Sequence, residues 1–252
     1  MKDFKKIYKK LGIKKKDKIY LASNILNLLA KYRKKKFDPN LIIDDLINIV
    51  SKDGFICIPT FSWDFCQKKK FNYLKTIPRT GSLGKLSLKK KDFIRSKNPI
   101  HSFSLFGKNK SRIAKLRHYS SFDKDSPFGY LINNKGKMLF IGIDYKFAMT
   151  FVHVAEEECS VDYRYFKTFK GIYIDKNGNS KKYKAKFYVR NMKIVRQSLI
   201  NKKFDKILMK KKILKKINYK GVLFTIIDIN PMYKLFLDDI KNNKGMIYPD
   251  YY

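Results

Sequence analysis

Three histidines, His101, His118 and His153, are the only imidazoles in the 252 residues. His153 stands in Thr150-Phe151-Val152-His153-Val154-Ala155-Glu156-Glu157. On a helix, Glu156 and Glu157 lie three and four residues further on, beside the His153 ring. A carboxylate there holds the proton of one ring nitrogen and raises the basicity of the other. That is the histidine–carboxylate half of a general-base device. An ordinary surface pair has the same spacing, so spacing alone leaves both readings open. His101 lies in Arg95-Ser96-Lys97-Asn98-Pro99-Ile100-His101-Ser102-Phe103. Its hydroxyls, arginine and proline bend suit a loop that holds phosphate or pantetheine, and equally a polar loop before a strand. His118, between Arg117 and Tyr119, reads as surface. Cys57, Cys66 and Cys159 have no paired spacing and join no Cys/His cluster, so neither a disulfide framework nor a metal site is expected. Phosphate loops of the G-x-x-x-x-G-K-[ST] kind, a G-x-G-x-x-G after a strand and a G-x-S-x-G elbow are missing. P-loop kinases, simple dinucleotide enzymes and common serine hydrolases are thereby excluded.

The elements that must position these residues follow from apolar spacing. Phe4, Ile7, Tyr8 and Leu11 predict a short basic helix within residues 1–16. Residues 18–23 read as a buried strand. Leu41 to Val50 reads as an amphipathic helix that starts near Asp38-Pro39-Asn40. The Asp53-Gly54 turn leads into a second strand, 55–59. Strand, helix and strand make a βαβ unit with a parallel pair. Residues 66–92 read as a long polar excursion with one helix. A strand is expected at 137–143, and a helix from Thr150 to Glu158 with Thr150 as its cap. Ser126-Pro127 reads as the start of another helix, with Ser126 as cap. In the second half, 171–174 and 182–189 form a hairpin around Asn177-Gly178. A basic helix is expected over 204–217, a strand over 222–227 and a closing helix over 231–241.

The formal net charge is +37, with 44% hydrophobic residues, enough for a sizeable core. The charge attracts anions, and nucleic acid is the first partner to weigh. Yet only eight of the 58 cations are arginines, the preferred readers of phosphates and guanine edges. Lysine, isoleucine and asparagine together carry the mark of AT-rich codon usage, which competes with selection for anionic ligands as the cause. No apolar run is long enough for a membrane span or a signal peptide, so a cytoplasmic protein is expected.

Taken in order, these segments resemble the aminoglycoside 3-N-acetyltransferase family. Asp17 to Ile25 is similar to its first strand and acyl-CoA loop, and Asp53 to Ser62 to its G-T-L-x-x-P-T-F segment. Gly81 to Leu86 corresponds to G-x-L-x-E, and Arg95 through Phe103 to R-S-x-H-P-x-H-S. Asp125 to Leu131 is similar to the S-P-x-x-x-L helix, and Thr150 to Glu156 matches T-x-x-H-x-x-E. Ala22, Asn24, Lys85 and Asn98 depart from the family pattern.

The resemblance implies an α/β fold of three layers, α-β-α. The central sheet would be mixed and partly parallel, with a C-terminal hairpin and helix extension. All of 1–252 would be one acetyltransferase domain, with a C-terminal subregion at about 165–252. It implies acetyl transfer from acetyl-CoA to an amine, with His153 as base, Glu156 orienting it and Thr150 stabilising the oxyanion. Ser23, Asn24, Arg95, Ser96, His101, Ser102 and Phe103 would hold the coenzyme, and Asp64 and Ser126 the acceptor. No metal is implied. The charge argues against a polycationic aminoglycoside and for an amino sugar on a nucleotide, made for a surface glycan. An aminoglycoside acceptor, a lysine-rich nucleic-acid binder and a family member that binds acyl-CoA without catalysis are the alternatives. A monomer or a homodimer is expected.

Overall fold

The computed structural model describes residues 4–31, 37–116, 118 and 120–252. Along the chain run α1 (Phe4–Leu11), β1 (Lys18–Ser23), α2 (Leu26–Lys31), α3 (Asn40–Val50), β2 (Phe55–Pro59), α4 (Asp64–Lys68) and β3 (Lys70–Asn72). Next come α5 (Ser82–Ser87), β4 (Ile94–Arg95), β5 (Phe103–Gly107), α6 (Lys110–Ala114), α7 (Pro127–Asn133) and β6 (Lys137–Ile141). After a 3-10 turn at Tyr145–Phe147 come α8 (Val152–Glu158), β7 (Arg164–Ile174), β8 (Ser180–Arg190) and β9 (Val195–Ile200). The chain closes with α9 (Lys203–Lys210), β10 (Leu214–Tyr219), β11 (Val222–Asp228), α10 (Ile229–Lys241) and β12 (Ile247–Tyr251).

Seven strands form the central sheet in the order β10-β11-β6-β1-β2-β5-β4. β1 pairs in parallel with β2 and with β6, and the flanking pairs are antiparallel. The sheet is therefore mixed and partly parallel, as expected. Alternation sends side chains to opposite faces. Ile19, Leu21, Ile56 and Ile58 pack with α1 and α3 on one face. Tyr20, Cys57, Phe140 and Phe103 pack with α7, α8 and α10 on the other. These are the three layers, and both faces of β1 are buried because helices cover each side.

The β7–β8 hairpin turns at Asn177-Gly178 and is far longer than its predicted core, with paired residues from Arg164↔Arg190 to Ile174↔Ser180. β3 adds to it in parallel, and Phe65, Phe71, Ile100, Tyr173 and Ala185 form a small core beneath. β9 and β12 make a two-stranded sheet for which the sequence gave no period-2 signal.

One expected element is corrected. The basic helix over 204–217 ends at Lys210, and 214–219 is the edge strand β10, paired antiparallel with β11. Ile213, Leu214 and Ile217 mimic helical spacing. Lys212 takes a left-handed φ of 56° and stops the helix. The lysines of β10 suit a sheet edge, where charge blocks further pairing. Among the described residues no helix is long and apolar enough to cross a membrane.

Candidate active site

From β1 the chain moves first to β2 on one side, and β6 later fills the other. In α/β sheets such a reversal leaves a crevice at the carboxyl ends of the strands. A cavity of about 380 Å³ lies there. Its walls are Leu21 to Ser23 after β1, Ile58, Pro59 and Phe61 after β2, and Ile143 after β6. Thr150 and His153 line it from the start of α8, and Arg164 and Phe187 from the hairpin. Gly81 and Gly84 of the α5 region complete the floor. A Cβ on Gly84 would sit 2.5 Å from the Pro59 carbonyl oxygen, so only glycine allows this close approach.

His153 and Glu156 are one helical turn apart, and the spacing delivers the contact. His153 Nδ1 lies 2.6 Å from Glu156 Oε2. Glu156 is fully buried, while the His153 side chain keeps 29% exposure toward the cavity. Burial raises the Glu156 pKa, but His153, Arg164 and Ser198 overcome this and hold it below the usual carboxylate value. An ionised carboxylate can only accept, so Nδ1 carries the ring proton and Nε2 is left as the basic nitrogen. Burial pushes the His153 pKa down. Glu156 opposes that, while Arg164 and Arg190 reinforce it. The imidazole is therefore neutral at pH 7, as a base must be before it takes a proton. Glu157, equally well spaced, turns away and accepts from the Ser120 hydroxyl.

Three further groups complete the pair. Arg164 Nε stands 2.7 Å from Glu156 Oε2, and Arg164 Nη2 stands 3.0 Å from His153 Nδ1. Because Nδ1–H already points to the carboxylate, the second approach is a charge contact rather than a hydrogen bond. The Nε approach is likewise an ion pair with poor hydrogen-bond alignment. The Tyr163 hydroxyl donates to Glu156 Oε1 at 3.1 Å. On the cavity side, the buried Tyr20 phenol is hydrogen-bonded to the Thr150 side chain.

Thr150 does not cap α8. Phe151 holds the cap position without a side-chain bond, and the Thr150 carbonyl accepts from the His153 N–H at 3.1 Å. The Thr150 hydroxyl is thereby left to Tyr20 and the cavity. Of the expected coenzyme residues, Ser23 and His101 line the cavity and the rest do not. Asn24 turns its amide oxygen to the Leu26 N–H.

Arg95 is buried, and its guanidinium donates to the carbonyls of Tyr73, Thr76 and Thr60 and to the Ser102 hydroxyl. It brackets three loops from inside, because a buried guanidinium needs several acceptors. Ser96 accepts from the Phe103 N–H, and Phe103 is a core ring against Phe61 and Phe128. His101 is enclosed by the rings of Phe61, Phe122 and Phe187, and burial pushes its pKa down to about 3.

Neither expected acceptor residue lines the cavity. Ser126 is fully buried and caps α7 through the Gly129 N–H at 3.4 Å. Asp64 is paired with Arg79 at 3.4 Å, beside Trp63 on the rim. His118 is not a surface residue; burial lowers its pKa and its ring contacts the Ser120 carbonyl. Its expected neighbours Arg117 and Tyr119 lie outside the described residues.

Arg164, Tyr163 and Tyr20 were not singled out from the sequence. Arg164 had one available signal, an arginine in a chain that otherwise uses lysine. Among the described residues no group of three His, Cys, Asp or Glu could hold a metal ion.

A sheet crevice with a buried-carboxylate histidine and no metal cluster among the described residues is the arrangement of an acetyltransferase that uses a general base. The model of the aminoglycoside 3-N-acetyltransferase family matches residues 29–238, and the chain belongs to that family. The fold agrees with solved structures. Aminoglycoside acetyltransferase AAC(3)-Xa superposes with a TM-score of 0.75 at 14% identity, covering 94% of this chain and 91% of that one. AAC-IIIb in a binary complex with CoASH gives 0.76 at 15% identity, with 95% of each chain covered. The YokD protein from Bacillus subtilis gives 0.72 at 18% identity, over 94% of this chain and 97% of that one. No curated protein sequence matches the chain.

Proposed function

We propose that this acetyltransferase moves the acetyl group of acetyl-CoA to the amine of an amino sugar carried on a nucleotide, in the cytoplasm, for a surface glycan. His153 Nε2 takes a proton from the acceptor amine as its nitrogen attacks the thioester carbonyl carbon. The new C–N bond forms, the C–S bond breaks, and the proton held on His153 leaves with the departing thiolate. Glu156 holds Nδ1–H and stabilises the imidazolium in between. The Thr150 hydroxyl, oriented by Tyr20, donates to the carbonyl oxygen as it gains charge. Ser23 and the Gly81–Gly84 floor offer a narrow path that suits a pantetheine arm.

The observation that carries the choice of acceptor is the wall chemistry. None of the residues lining the cavity is an aspartate or glutamate, and Arg164 adds positive charge. A polycationic sugar needs carboxylates around its ammonium groups, whereas an acceptor bearing phosphates does not. The net charge of +37 acts in the same direction at long range. The alternative acceptor, an aminoglycoside, has one support: AAC-VIa, with a TM-score of 0.75 at 14% identity, has been solved bound to sisomicin.

The test is thiol release from acetyl-CoA with purified protein, comparing dTDP- and UDP-linked amino sugars with gentamicin-type substrates. Faster turnover of the nucleotide-linked sugars is expected. Turnover confined to the aminoglycosides overturns the acceptor while leaving the base in place.

A further inference from the structure

The hairpin contributes more than a wall to the cavity. Arg164 opens β7 and its side chain is only 6% exposed. It reaches back across α8 and meets both members of the proton-transfer pair, Glu156 Oε2 at 2.7 Å and His153 Nδ1 at 3.0 Å. The guanidinium is itself held, by the Ser198 hydroxyl of β9 at 3.2 Å and the Tyr188 carbonyl of β8 at 3.4 Å. Three strands therefore fix one cation against one carboxylate. A fully buried carboxylate with no cation would take up a proton and release the Nδ1–H bond.

We propose that Arg164 is a positioning residue for the acetyl transfer. It keeps Glu156 ionised and aimed at Nδ1, and its charge keeps the imidazole free of a second proton until the acceptor amine supplies one. This rests on the reading of His153 as the base. Lysine would not serve equally, since a point charge cannot span Glu156, Ser198 and the Tyr188 carbonyl together.

Other groups also face the pair. Tyr163 precedes β7 and donates to Glu156, and Tyr188 and Arg190 stand on β8. His101 approaches from the loop before β5, and the neutral Phe122 ring lies 5.5 Å from His153. Glu157 lies on α8 itself and is turned to Ser120. Arg190 stays charged through the range where histidine titrates, and His101 stays neutral there because burial holds its pKa at about 3. Neither changes charge in that window, so a shift there on replacing Arg164 reports Arg164.

The sign follows from the charges. A guanidinium 3.0 Å from Nδ1 disfavours imidazolium. Its removal raises the pH at which His153 takes up a proton, and activity is lost from the acid side earlier. Two readouts are needed: the acid limb of kcat/KM for thiol release, and the NMR titration of the His153 ring, assigned by its absence in His153→Ala. In Arg164→Met both move up by about one pH unit or more. In Arg164→Lys the limb stays near the wild-type position while kcat falls at least tenfold, with KM for acetyl-CoA within threefold.

A His153 titration unchanged in Arg164→Met overturns the proposal. If that variant does not fold, Arg164→Lys decides: wild-type kcat overturns it, and the split of kcat from KM supports it. Thiol release that survives His153→Ala would refute the base instead, and the ring titration would still read the effect of Arg164.

Discussion

Glu156→Gln is the perturbation that separates charge from shape. The amide can turn its oxygen to His153 Nδ1 and Arg164 while its NH2 faces the Tyr163 hydroxyl, which can turn to accept. The three partners now at 2.6, 2.7 and 3.1 Å keep their places. What disappears is the negative charge. The imidazolium formed during transfer loses its counter-charge, and a positioned base contributes about 10²- to 10⁴-fold. Because the hydrogen bond survives, kcat is expected to fall by about 10²- to 10³-fold. The second consequence is on stability. Removing one member of a buried ion pair costs about 3–5 kcal/mol, since the other charge is left uncompensated. Ser198 and the Tyr188 carbonyl still hold Arg164, which favours the lower end, about 3 kcal/mol. For a chain of this size that lowers Tm by about 6–12 °C.

This stability carries a pH signature. The folded Glu156 pKa lies below its ordinary value. Its contribution is therefore present above the unfolded pKa, about 4.3, and is lost as pH falls through the folded value. The Tm gap between wild type and Glu156→Gln should be full at pH 7 and close toward pH 3. Thiol release and thermal unfolding across this range read both effects. A kcat within threefold of wild type, or a Tm gap independent of pH, would refute the reasoning.

Three further outcomes follow from the same structure. Arg95→Met removes the donor to the Tyr73, Thr76 and Thr60 carbonyls, and stability should fall by about 3 kcal/mol with KM for acetyl-CoA within threefold of wild type. A tenfold rise in KM would return Arg95 to the coenzyme site. Ser126→Ala removes the α7 cap, costing about 1 kcal/mol in thermal unfolding, with kcat/KM for every acceptor unchanged. For a phosphate-bearing acceptor, kcat/KM should fall as salt rises from about 50 to about 500 mM, because the attraction of a +37 chain is screened. A flat salt profile would remove charge as the reason for preferring that acceptor.

The parts of this fold that were legible in sequence are those with a local signal. The βαβ unit, the Asn177-Gly178 hairpin and the Ser126 cap each depend on neighbours within a few residues, and each is present. The i, i+3 contact of His153 with Glu156 is local too. The illegible parts depend on the tertiary arrangement. Arg164 is eleven residues from His153 and reaches it only because β7 returns past α8. Arg95 has the residue type of a phosphate ligand, but its position beneath β3 and the end of β2 gives it carbonyls instead. Residues 214–219 carry an apolar spacing that fits a helix, and only the partner β11 makes them a strand. Glu156 and Glu157 are equivalent by spacing; burial against Arg164 and Tyr163 selects the first.

The central claim is that His153 removes the proton from the acceptor amine. Single-turnover thiol release by His153→Ala tests it, with acetyl-CoA binding measured alongside. The account predicts a loss of at least about 100-fold in the rate, with the Kd for acetyl-CoA within threefold of wild type. A rate within tenfold of wild type, at unchanged coenzyme affinity, would contradict it.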